Sequence, residues 1–304
     1  WNDGTGPKLF VGGSFSGITG RPGTRGVARY NLATNTWSAV GSGVFSQFTN
    51  SFATSFMVFP FGGVDELVVG GSFGTASNVA GTQNLARWNG TRWASVADPA
   101  ASGAVWALAR GSIGAGDRLY AGGGFTSIGG VTAGRVAQFD GTTWQALGTG
   151  IAGPFSPTVF ALALFDDGTG GGTQLYAAGR FDSADGQPAP LIAKWTTQGW
   201  RRVGSNLAGA SIFSDISALT VFDDGSGPAL YAGGSDFRVD GQPATAARWD
   251  GTTWTRVGQA LTGRTTAFAA FNDGTGTKLY AGGTAQPAVN YVYRLENNQW
   301  VPAA

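Results

Sequence analysis

A short apolar phrase ending in two small residues recurs six times in this 304-residue chain, and a tryptophan follows each copy. The phrase reads LFVGG, LVVGG, LYAGG, LYAAG, LYAGG and LYAGG at Leu9–Gly13, Leu67–Gly71, Leu119–Gly123, Leu175–Gly179, Leu230–Gly234 and Leu279–Gly283. The tryptophans lie 46 to 56 residues apart, at Trp37, Trp93, Trp144, Trp200, Trp254 and Trp300. A period of this size is the signature of a repeat architecture, so it constrains the fold before any local motif does.

The fifth repeat shows how one unit is built. An apolar run, Ile216–Phe222, meets the turn cluster Asp223–Gly227, and the glycine-ended phrase Ala229–Gly234 follows. After a loop, Ala246–Asp250 alternates small, basic and aromatic residues, as a half-buried strand does. An Asp-Gly turn then leads into Trp254–Val257, and Asp-Gly is a strong hairpin signal. The repeat therefore predicts four short antiparallel strands.

Four-stranded repeats that cannot bury both faces alone predict a β-propeller. We expect an all-β chain forming a single six-bladed propeller over residues 1–304. Its first, nearly all-apolar strands would lie nearest the axis, and its tryptophans would cover the junctions between blades. A solenoid is the alternative, but it would need polar caps that neither end of the chain resembles. The expected repeats span approximately 1–40, 41–97, 98–148, 149–204, 205–258 and 259–304.

The third strand of each repeat completes a pattern that resembles kelch repeats. Its basic residue is Arg29, Arg87, Lys194, Arg248 or Arg294, and Gln138 replaces it once. Its aromatic residue is Tyr30, Trp88, Phe139, Trp195 or Trp249, and Leu295 replaces it once. The Asp-Gly-Thr turns are closer to those of large secreted bacterial propeller proteins than to those of eukaryotic members. The resemblance covers the whole chain and implies the fold, whereas a repeat family implies almost nothing about function.

Composition excludes several classes of function. The chain has no cysteine and no histidine, so thiolate nucleophiles, disulfides and the commonest metal ligand and general base are absent. A net charge of +1 with 12% charged residues gives no electrostatic case for nucleic acid or an anionic membrane. We expect no cofactor, no metal and no membrane insertion. A start at Trp1 suggests a mature or trimmed chain, and we expect an extracellular or cell-surface location.

The first repeat is one strand short. The apolar first strand is predicted five times, at Ala53–Phe59, Val105–Arg110, Val159–Phe165, Ile216–Phe222 and Thr266–Phe271. In the first repeat, Trp1–Gly6 aligns instead with the end of that strand and its turn, at Phe271–Gly276. An empty position would leave backbone donors and acceptors unpaired. Three explanations stay open: flanking sequence supplies the strand, a neighbouring molecule donates it, or the first blade has three strands.

Several turns are rich in aspartate, and we assign them a structural role. Asp166–Gly170, Asp223–Gly227 and Asn272–Gly276 offer too few oxygens for calcium and have no bidentate glutamate nearby. The turns at Asp140–Trp144 and Asp250–Trp254 resemble a sialidase Asp-box, but their Asp and Gly are adjacent rather than separated. The sequence therefore predicts hairpin turns and no metal site.

Loop carboxylates could support a different function. Four aspartates follow second strands: Asp182, Asp185, Asp236 and Asp240. We expect their loops to lie on one face of the fold, together with the connections 41–52 and 148–158. Paired carboxylates could cleave glycosides, although solvated turn residues are the simpler interpretation. The exposed aromatic candidates for a lectin-type surface are Phe48, Phe155 and Phe213, which could equally plug the blade tops. Asn89-Gly90-Thr91 fits a glycosylation sequon, but turn chemistry explains it too.

The basic ladder of the third strands belongs to different blades and therefore forms no single anionic-ligand patch. We expect each member to stack on an aromatic ring or to hydrogen-bond a turn. The function that the sequence favours is a non-catalytic structural or interaction module, with itself or another surface protein as partner. Strand donation into the first repeat would make it a fibre or tube subunit, because head-to-tail contacts need not close. The alternative is a carbohydrate-binding or carbohydrate-cleaving propeller that uses loop aspartates and aromatic residues.

Overall fold

A computed structural model describes residues 1–46, 50–261, 263–285 and 289–303. The all-β prediction is confirmed: these residues form strands, turns and bends, with no helix among them. No described segment is therefore a helix able to cross a membrane. The chain divides into two compact units, Trp1–Leu147 and Gly148–Ala304, and the division falls at the end of the third repeat.

The first unit contains three repeats and fifteen strands. The first repeat contains β1 (Lys8–Gly12), β2 (Val27–Asn31) and β3 (Thr36–Ala39). The second contains β4 (Val44–Phe45), β5 (Phe52–Phe61), β6 (Val64–Ser72), β7 (Thr75–Ala76), β8 (Leu85–Trp88) and β9 (Trp93–Ser95). The third contains β10 (Val105–Gly111), β11 (Arg118–Gly123), β12 (Ser127–Ile128), β13 (Val131–Thr132), β14 (Val136–Phe139) and β15 (Trp144–Ala146).

The second unit continues the pattern. The fourth repeat contains β16 (Ile151–Ala152), β17 (Thr158–Phe165), β18 (Gln174–Arg180), β19 (Ser183–Ala184), β20 (Gln187–Pro188), β21 (Ile192–Thr196) and β22 (Gly199–Arg202). The fifth contains β23 (Leu207–Gly209), β24 (Asp215–Asp223), β25 (Pro228–Val239), β26 (Gln242–Trp249) and β27 (Trp254–Arg256). The sixth contains β28 (Arg264–Asn272), β29 (Thr277–Ala285), β30 (Val289–Glu296) and β31 (Gln299–Pro302).

Each repeat builds one main sheet, numbered here 1 to 6, whose strands pair antiparallel in chain order. Sheets 2 to 6 have the four predicted strands, and sheet 5 gains a fifth because β23 pairs with an extension of β25. Sheet 1 has only β1, β2 and β3. In the first repeat, no described residues form the apolar strand that leads the other five.

The loops are more ordered than the sequence indicated. The connections between repeats pair with the loops that follow second strands: β4 with β7, β16 with β19, and β23 with β25. Short strands could not be predicted there because two-residue pairings leave no periodic pattern. Their consequence is that these two kinds of loop lie together, at the same end of their sheets.

Consecutive sheets within a unit are joined by the repeat tryptophans. The indole N–H donates to a backbone carbonyl that closes the preceding repeat, at 2.9–3.0 Å: Trp93 to Val40, Trp144 to Val96, Trp254 to Val203 and Trp300 to Val257. These four tryptophans are buried. The hydrogen bond satisfies the buried indole N–H and gives the carbonyl a donor, although the Val40 carbonyl also accepts from Gly43 N at 3.0 Å.

Candidate interaction site at the open edge of the first sheet

The basic residues of the third strands hold turns of their own sheets. Each pairs with a carboxylate of the turn between the first and second strands, or just after it. The pairs are Arg29–Asp3 at 2.6 Å, Arg87–Glu66 at 3.5 Å, Lys194–Asp167 at 2.6 Å, Arg248–Asp224 at 3.5 Å and Arg294–Asp273 at 3.9 Å. Arg87 also stacks over the Phe61 ring at 4.2 Å. The ladder is therefore engaged within the fold rather than presented to an anionic ligand.

Asp167 shows how closely such a turn is bound. Its Oδ2 accepts hydrogen bonds from Lys194 Nζ at 2.6 Å and Tyr176 Oη at 2.7 Å, and its Oδ1 accepts from the Thr169 backbone. Burial would raise the pKa of Asp167, but these hydrogen bonds and the ammonium group outweigh it and lower the pKa below its ordinary value. Burial and the same carboxylate raise the pKa of the Tyr176 hydroxyl.

The loop aspartates are mostly engaged in holding loops together. Asp185 accepts from Thr149 N at 2.7 Å and from Trp200 N at 2.9 Å, so it fastens the preceding loop to the fourth strand of sheet 4. Both carboxylate oxygens of Asp240 accept from Asn206 Nδ2 at 3.2 Å. Asp236 accepts from Ser211 and Ser214.

Asp182 lies beside a cavity of about 240 Å³ whose lining also includes Pro154, Arg180 and Ile212. Two of the aromatic candidates, Phe155 and Phe213, are 62% and 68% exposed, so they do not plug the ends of the sheets. Phe48 lies outside the described residues. The loop end of the second unit therefore presents two exposed rings.

An ion pair between a buried carboxylate and a partly exposed guanidinium lies where the first strands of sheets 5 and 6 begin. Arg264 Nη2 is 3.1 Å from Asp215 Oδ1, and the Arg264 guanidinium lies 5.6 Å from the Phe160 ring centroid. Burial raises the pKa of Asp215, although Arg264 opposes this. This pair could not be predicted from the sequence, because the two residues are 49 positions apart and occupy ordinary strand positions.

The sites above are built from side chains, whereas the outer edge of β1 presents backbone groups. Trp1 and Lys8 exchange two backbone hydrogen bonds, Lys8 N to Trp1 O at 2.8 Å and Trp1 N to Lys8 O at 3.1 Å. Trp1 thus occupies a register position near the end of a first strand, as Phe271 does opposite Lys278 in sheet 6, and Asn2 bridges to Pro7 as Asn272 pairs with Thr277. Because antiparallel hydrogen bonding alternates, the backbone groups of Phe10 and Gly12 also face this edge. Among the described residues, only β2 pairs with β1.

The second glycine of the repeated phrase has different surroundings in sheet 1 and in the other five sheets. In sheets 2 to 6 a Cβ at this glycine would lie about 2 Å from a carbonyl oxygen at the start of the first strand or of the residue just before it. The pairs are Gly71 with Phe52, Gly123 with Ala104, Gly179 with Thr158, Gly234 with Asp215 and Gly283 with Arg264. At Gly13 the nearest atom to such a Cβ is in the Phe15 ring, at an ordinary 3.5 Å. Gly13 therefore has the repeated residue without the contact that requires it in the other sheets.

One face of sheet 1 is also uncovered. Gly12 faces sheet 2, since a Cβ there would lie 2.6 Å from the Phe56 ring, so the alternate residues Leu9 and Val11 face the other way. Leu9 is 52% exposed, whereas Leu67, Leu119, Leu175, Leu230 and Leu279 are at most 3% exposed. An apolar face thus meets an unpaired backbone edge at β1, which is the combination that invites another chain to pair.

Comparisons with known proteins assign no family to this chain. No protein-family model matches the chain, and no curated protein matches it. Among solved structures, it is similar to the extracellular domain of a one-component system, BT4673, from B. thetaiotaomicron. The identity is 12% and the TM-score 0.47, over 88% of this chain and 30% of that structure. The chain thus spans less than a third of the length of the solved structure it resembles.

Proposed function

We propose that this chain is a non-catalytic, kelch-like β-propeller of six blades that serves as an extracellular structural or interaction module. The propeller proposal rests on the repeated sheets and on the tryptophan hydrogen bond that joins consecutive sheets within each unit. The absence of catalysis is proposed because Asp185, Asp236 and Asp240 are engaged in loop contacts. The extracellular location is proposed from the resemblance of the Asp-Gly-Thr turns to those of large secreted bacterial propeller proteins.

The interaction is proposed to occur by addition of a β-strand to the free edge of β1. The single observation behind it is that, among the described residues, no strand pairs with this edge at Phe10 and Gly12, although Trp1 pairs with Lys8 at one end of it. Main-chain hydrogen bonds supply the affinity in such complexes, and side-chain pockets supply the selectivity. Where the donor is another copy of the same protein, repetition of this contact gives a fibre or tube.

Substitutions at Phe10 test strand addition. Phe10→Pro removes an N–H that faces the free edge, and proline is tolerated on an edge strand. Phe10→Ala is the matched control, because it loses the same side chain and keeps the N–H. A labelled peptide with the sequence of Asp215–Val221 is added to each protein, and binding is followed by fluorescence anisotropy.

Binding to the wild-type protein and to Phe10→Ala, with loss in Phe10→Pro, would support the proposal. Equal binding by both variants, or none by the wild type at millimolar peptide, would contradict it. Negative-stain electron microscopy of the native protein adds an independent view, since strand exchange between copies would appear as fibres or tubes.

Carbohydrate binding is the second candidate, favoured by the exposed rings of Phe155 and Phe213. Aromatic faces can stack on sugar rings, and Asp182 lies in the neighbouring loop. A glycan array distinguishes this candidate: it requires binding that Phe155→Ala and Phe213→Ala together abolish. Phe10→Pro should leave such binding unchanged.

A further inference from the structure

Arg180 breaks the repeat pattern at the end of a second strand. The residue that follows the glycine-ended phrase is small in the other five repeats, at Ser14, Ser72, Gly124, Ser235 and Thr284. The same antiparallel sheets form with these small residues, so the fold does not require an arginine at this position. The Arg180 side chain lines the cavity of about 240 Å³ that Pro154, Asp182, Ser211 and Ile212 also line, which we name the Arg180 cavity.

The Arg180 guanidinium has no partner among the described residues. Its Nε is buried without a hydrogen-bond partner, and no described carboxylate forms an ion pair with it. Burial raises the pKa of the nearby Asp215, and the charges of Arg264 and Arg180 oppose this, but it is Arg264 that contacts the carboxylate, at 3.1 Å. A buried donor without an acceptor is costly. The Arg180 cavity therefore presents a donor whose acceptor must come from a ligand or from solvent.

Asp182 supplies an acceptor to the same cavity. Its backbone is fixed, since its N–H donates to Ala152 O at 3.3 Å and its carbonyl accepts from Ala189 N at 2.8 Å. Its side chain is exposed, and no described residue donates a hydrogen bond to its carboxylate. A cation and a carboxylate thus line one cavity without pairing with each other. A ligand group that both accepts and donates hydrogen bonds would bridge them.

An exposed ring is held beside the cavity by unfavourable backbone. Phe155 follows the cavity residue Pro154, and Phe155 and Ser156 have φ of 59° and 58°. Left-handed backbone is unusual for a bulky residue, and such outliers concentrate at functional sites. The fold keeps the Phe155 ring in place and exposed despite this cost.

A second exposed ring lies on a loop of the fifth repeat. Phe213 follows the cavity residue Ile212. The Ser214 Oγ accepts hydrogen bonds from Ala210 N and Ser211 N, both at 2.9 Å, and Asp236 accepts from both serines. These contacts fix the shape of the loop before a ligand arrives, which lowers the entropy lost on binding.

We infer that the Arg180 cavity binds a neutral sugar through two adjacent hydroxyl groups, an inference that rests on the carbohydrate candidate above. Arg180 donates to the hydroxyl oxygens, because a guanidinium has only donors, and Asp182 accepts from the hydroxyl hydrogens. The apolar face of the sugar packs against Phe155 and Phe213. A volume of about 240 Å³ is at the small end of ligand pockets, so one sugar unit enters and the rest of an oligosaccharide stays outside.

The charges near Arg180 favour a neutral sugar over an acidic one. Asp182 lines the cavity with it, and the buried Asp215 lies close enough for Arg180 to affect its pKa. A carboxylate on the sugar would be attracted by Arg180 and repelled by both aspartates. A hydroxyl pair avoids this repulsion and uses both Arg180 and Asp182.

Matched sugars test the class of ligand. The full chain is applied to an array of immobilised oligosaccharides whose end units differ only at C6: glucose against glucuronic acid, and galactose against galacturonic acid. Monodeoxy forms of the neutral sugars are included. We expect at least one neutral sugar to bind, its acidic counterpart to bind at least about tenfold more weakly, and loss of one bridging hydroxyl to have a similar effect.

Substitutions in the cavity test the two roles. Arg180→Met removes the donors and should weaken binding of the neutral sugar at least about tenfold. Arg180→Lys keeps a cation near Asp215 but not the planar fork of donors, so it should also weaken binding without loss of folding. Asp182→Asn should weaken binding too, since an amide oxygen accepts less strongly than a carboxylate. Arg256→Met, an exposed control on β27, should bind as the wild type does. Circular dichroism confirms that each variant is folded.

The outcomes separate this inference from the carbohydrate candidate. Binding that Phe155→Ala and Phe213→Ala abolish, but that Arg180→Met and Asp182→Asn leave unchanged, would overturn the inference and leave carbohydrate binding intact. A preference for the acidic sugar, or tighter binding by Asp182→Asn, would also overturn it, because the ligand would then be held by a carboxylate. Absence of binding to every glycan would overturn the carbohydrate candidate itself.

Discussion

The indole N–H of Trp93 donates a 2.9 Å hydrogen bond to the carbonyl oxygen of Val40, one repeat earlier in the chain. The neighbouring Trp88 is also buried, and its ring centroid lies 5.3 Å from that of Trp93, but its indole N–H has no hydrogen-bond partner. Two tryptophans in one hairpin thus differ in a single polar contact. This difference separates the contribution of the bond from that of burial.

Trp93→Phe should destabilise the protein more than Trp88→Phe does. Trp93→Phe removes the indole hydrogen bond to the Val40 carbonyl, which still accepts from Gly43 N at 3.0 Å, so the variant loses one net hydrogen bond, worth about 0.5–1.5 kcal/mol. Trp88→Phe removes similar apolar area and no hydrogen bond. The free energy of unfolding, measured by chemical denaturation, should therefore be lower in Trp93→Phe. Equal losses would show that the bond contributes nothing beyond packing.

Lys194→Met should destabilise sheet 4. The Asp167 side chain is fully buried, and Lys194 Nζ lies 2.6 Å from it, so the variant leaves a carboxylate without its cation. Breaking a buried ion pair from one side costs about 3–5 kcal/mol, and the remaining hydrogen bonds from Tyr176 and Thr169 place this case near the lower end. Denaturation measures the loss. The exposed Arg201→Met, on the adjacent strand, should change stability by less than about 1 kcal/mol.

Asp250 should make stability sensitive to acid. Hydrogen bonds from the backbone N–H groups of Thr253 and Thr252 lower the pKa of Asp250 from 3.8 to about 2. A carboxylate with a lowered pKa stabilises the fold above the unfolded-state pKa, and this contribution is lost as the pH falls through the folded-state pKa. The loss of stability that protonation of Asp250 causes therefore occurs between pH 3.8 and about 2.

Asp250→Asn removes that share of the acid dependence. The amide should preserve the turn, since in sheet 2 Asn89 Oδ1 accepts the corresponding hydrogen bonds from Thr91 N, Thr91 Oγ1 and Arg92 N. Stability measured from pH 5 to pH 2 should fall less steeply in the variant than in the wild type. Parallel curves would mean that Asp250 has the same pKa folded and unfolded.

Asp185→Ala should loosen a loop rather than remove an activity. The carboxylate accepts hydrogen bonds from the backbone of Thr149, Gly150 and Trp200. Their loss should cost about 1–3 kcal/mol and speed amide hydrogen exchange in residues 148–153. Asp182→Ala is the control, and exchange in this loop should then be unchanged. A loop that exchanges equally fast in the wild type and Asp185→Ala would contradict this role for Asp185.

The sequence by itself determined the local structure. Alternating apolar residues, Asp-Gly turns and the period of 46 to 56 residues predicted the five first strands from Ala53 to Phe271, and each lies within a strand of the structure. Periodicity and turn chemistry are local properties, so they can be read from neighbouring residues. The alignment of Trp1–Gly6 with Phe271–Gly276 also indicated that the first repeat lacks its first strand, and the described residues place β1, β2 and β3 in sheet 1.

Only the tertiary structure decided which residues are engaged and which are free. Asp185 and Asp182 look alike in the sequence, yet one fastens a loop and the other borders a cavity. Gly13 and Gly71 stand in the same phrase, but only Gly71 meets a first-strand carbonyl. Such differences arise from contacts between residues far apart in the chain, and neither composition nor period encodes where those contacts fall.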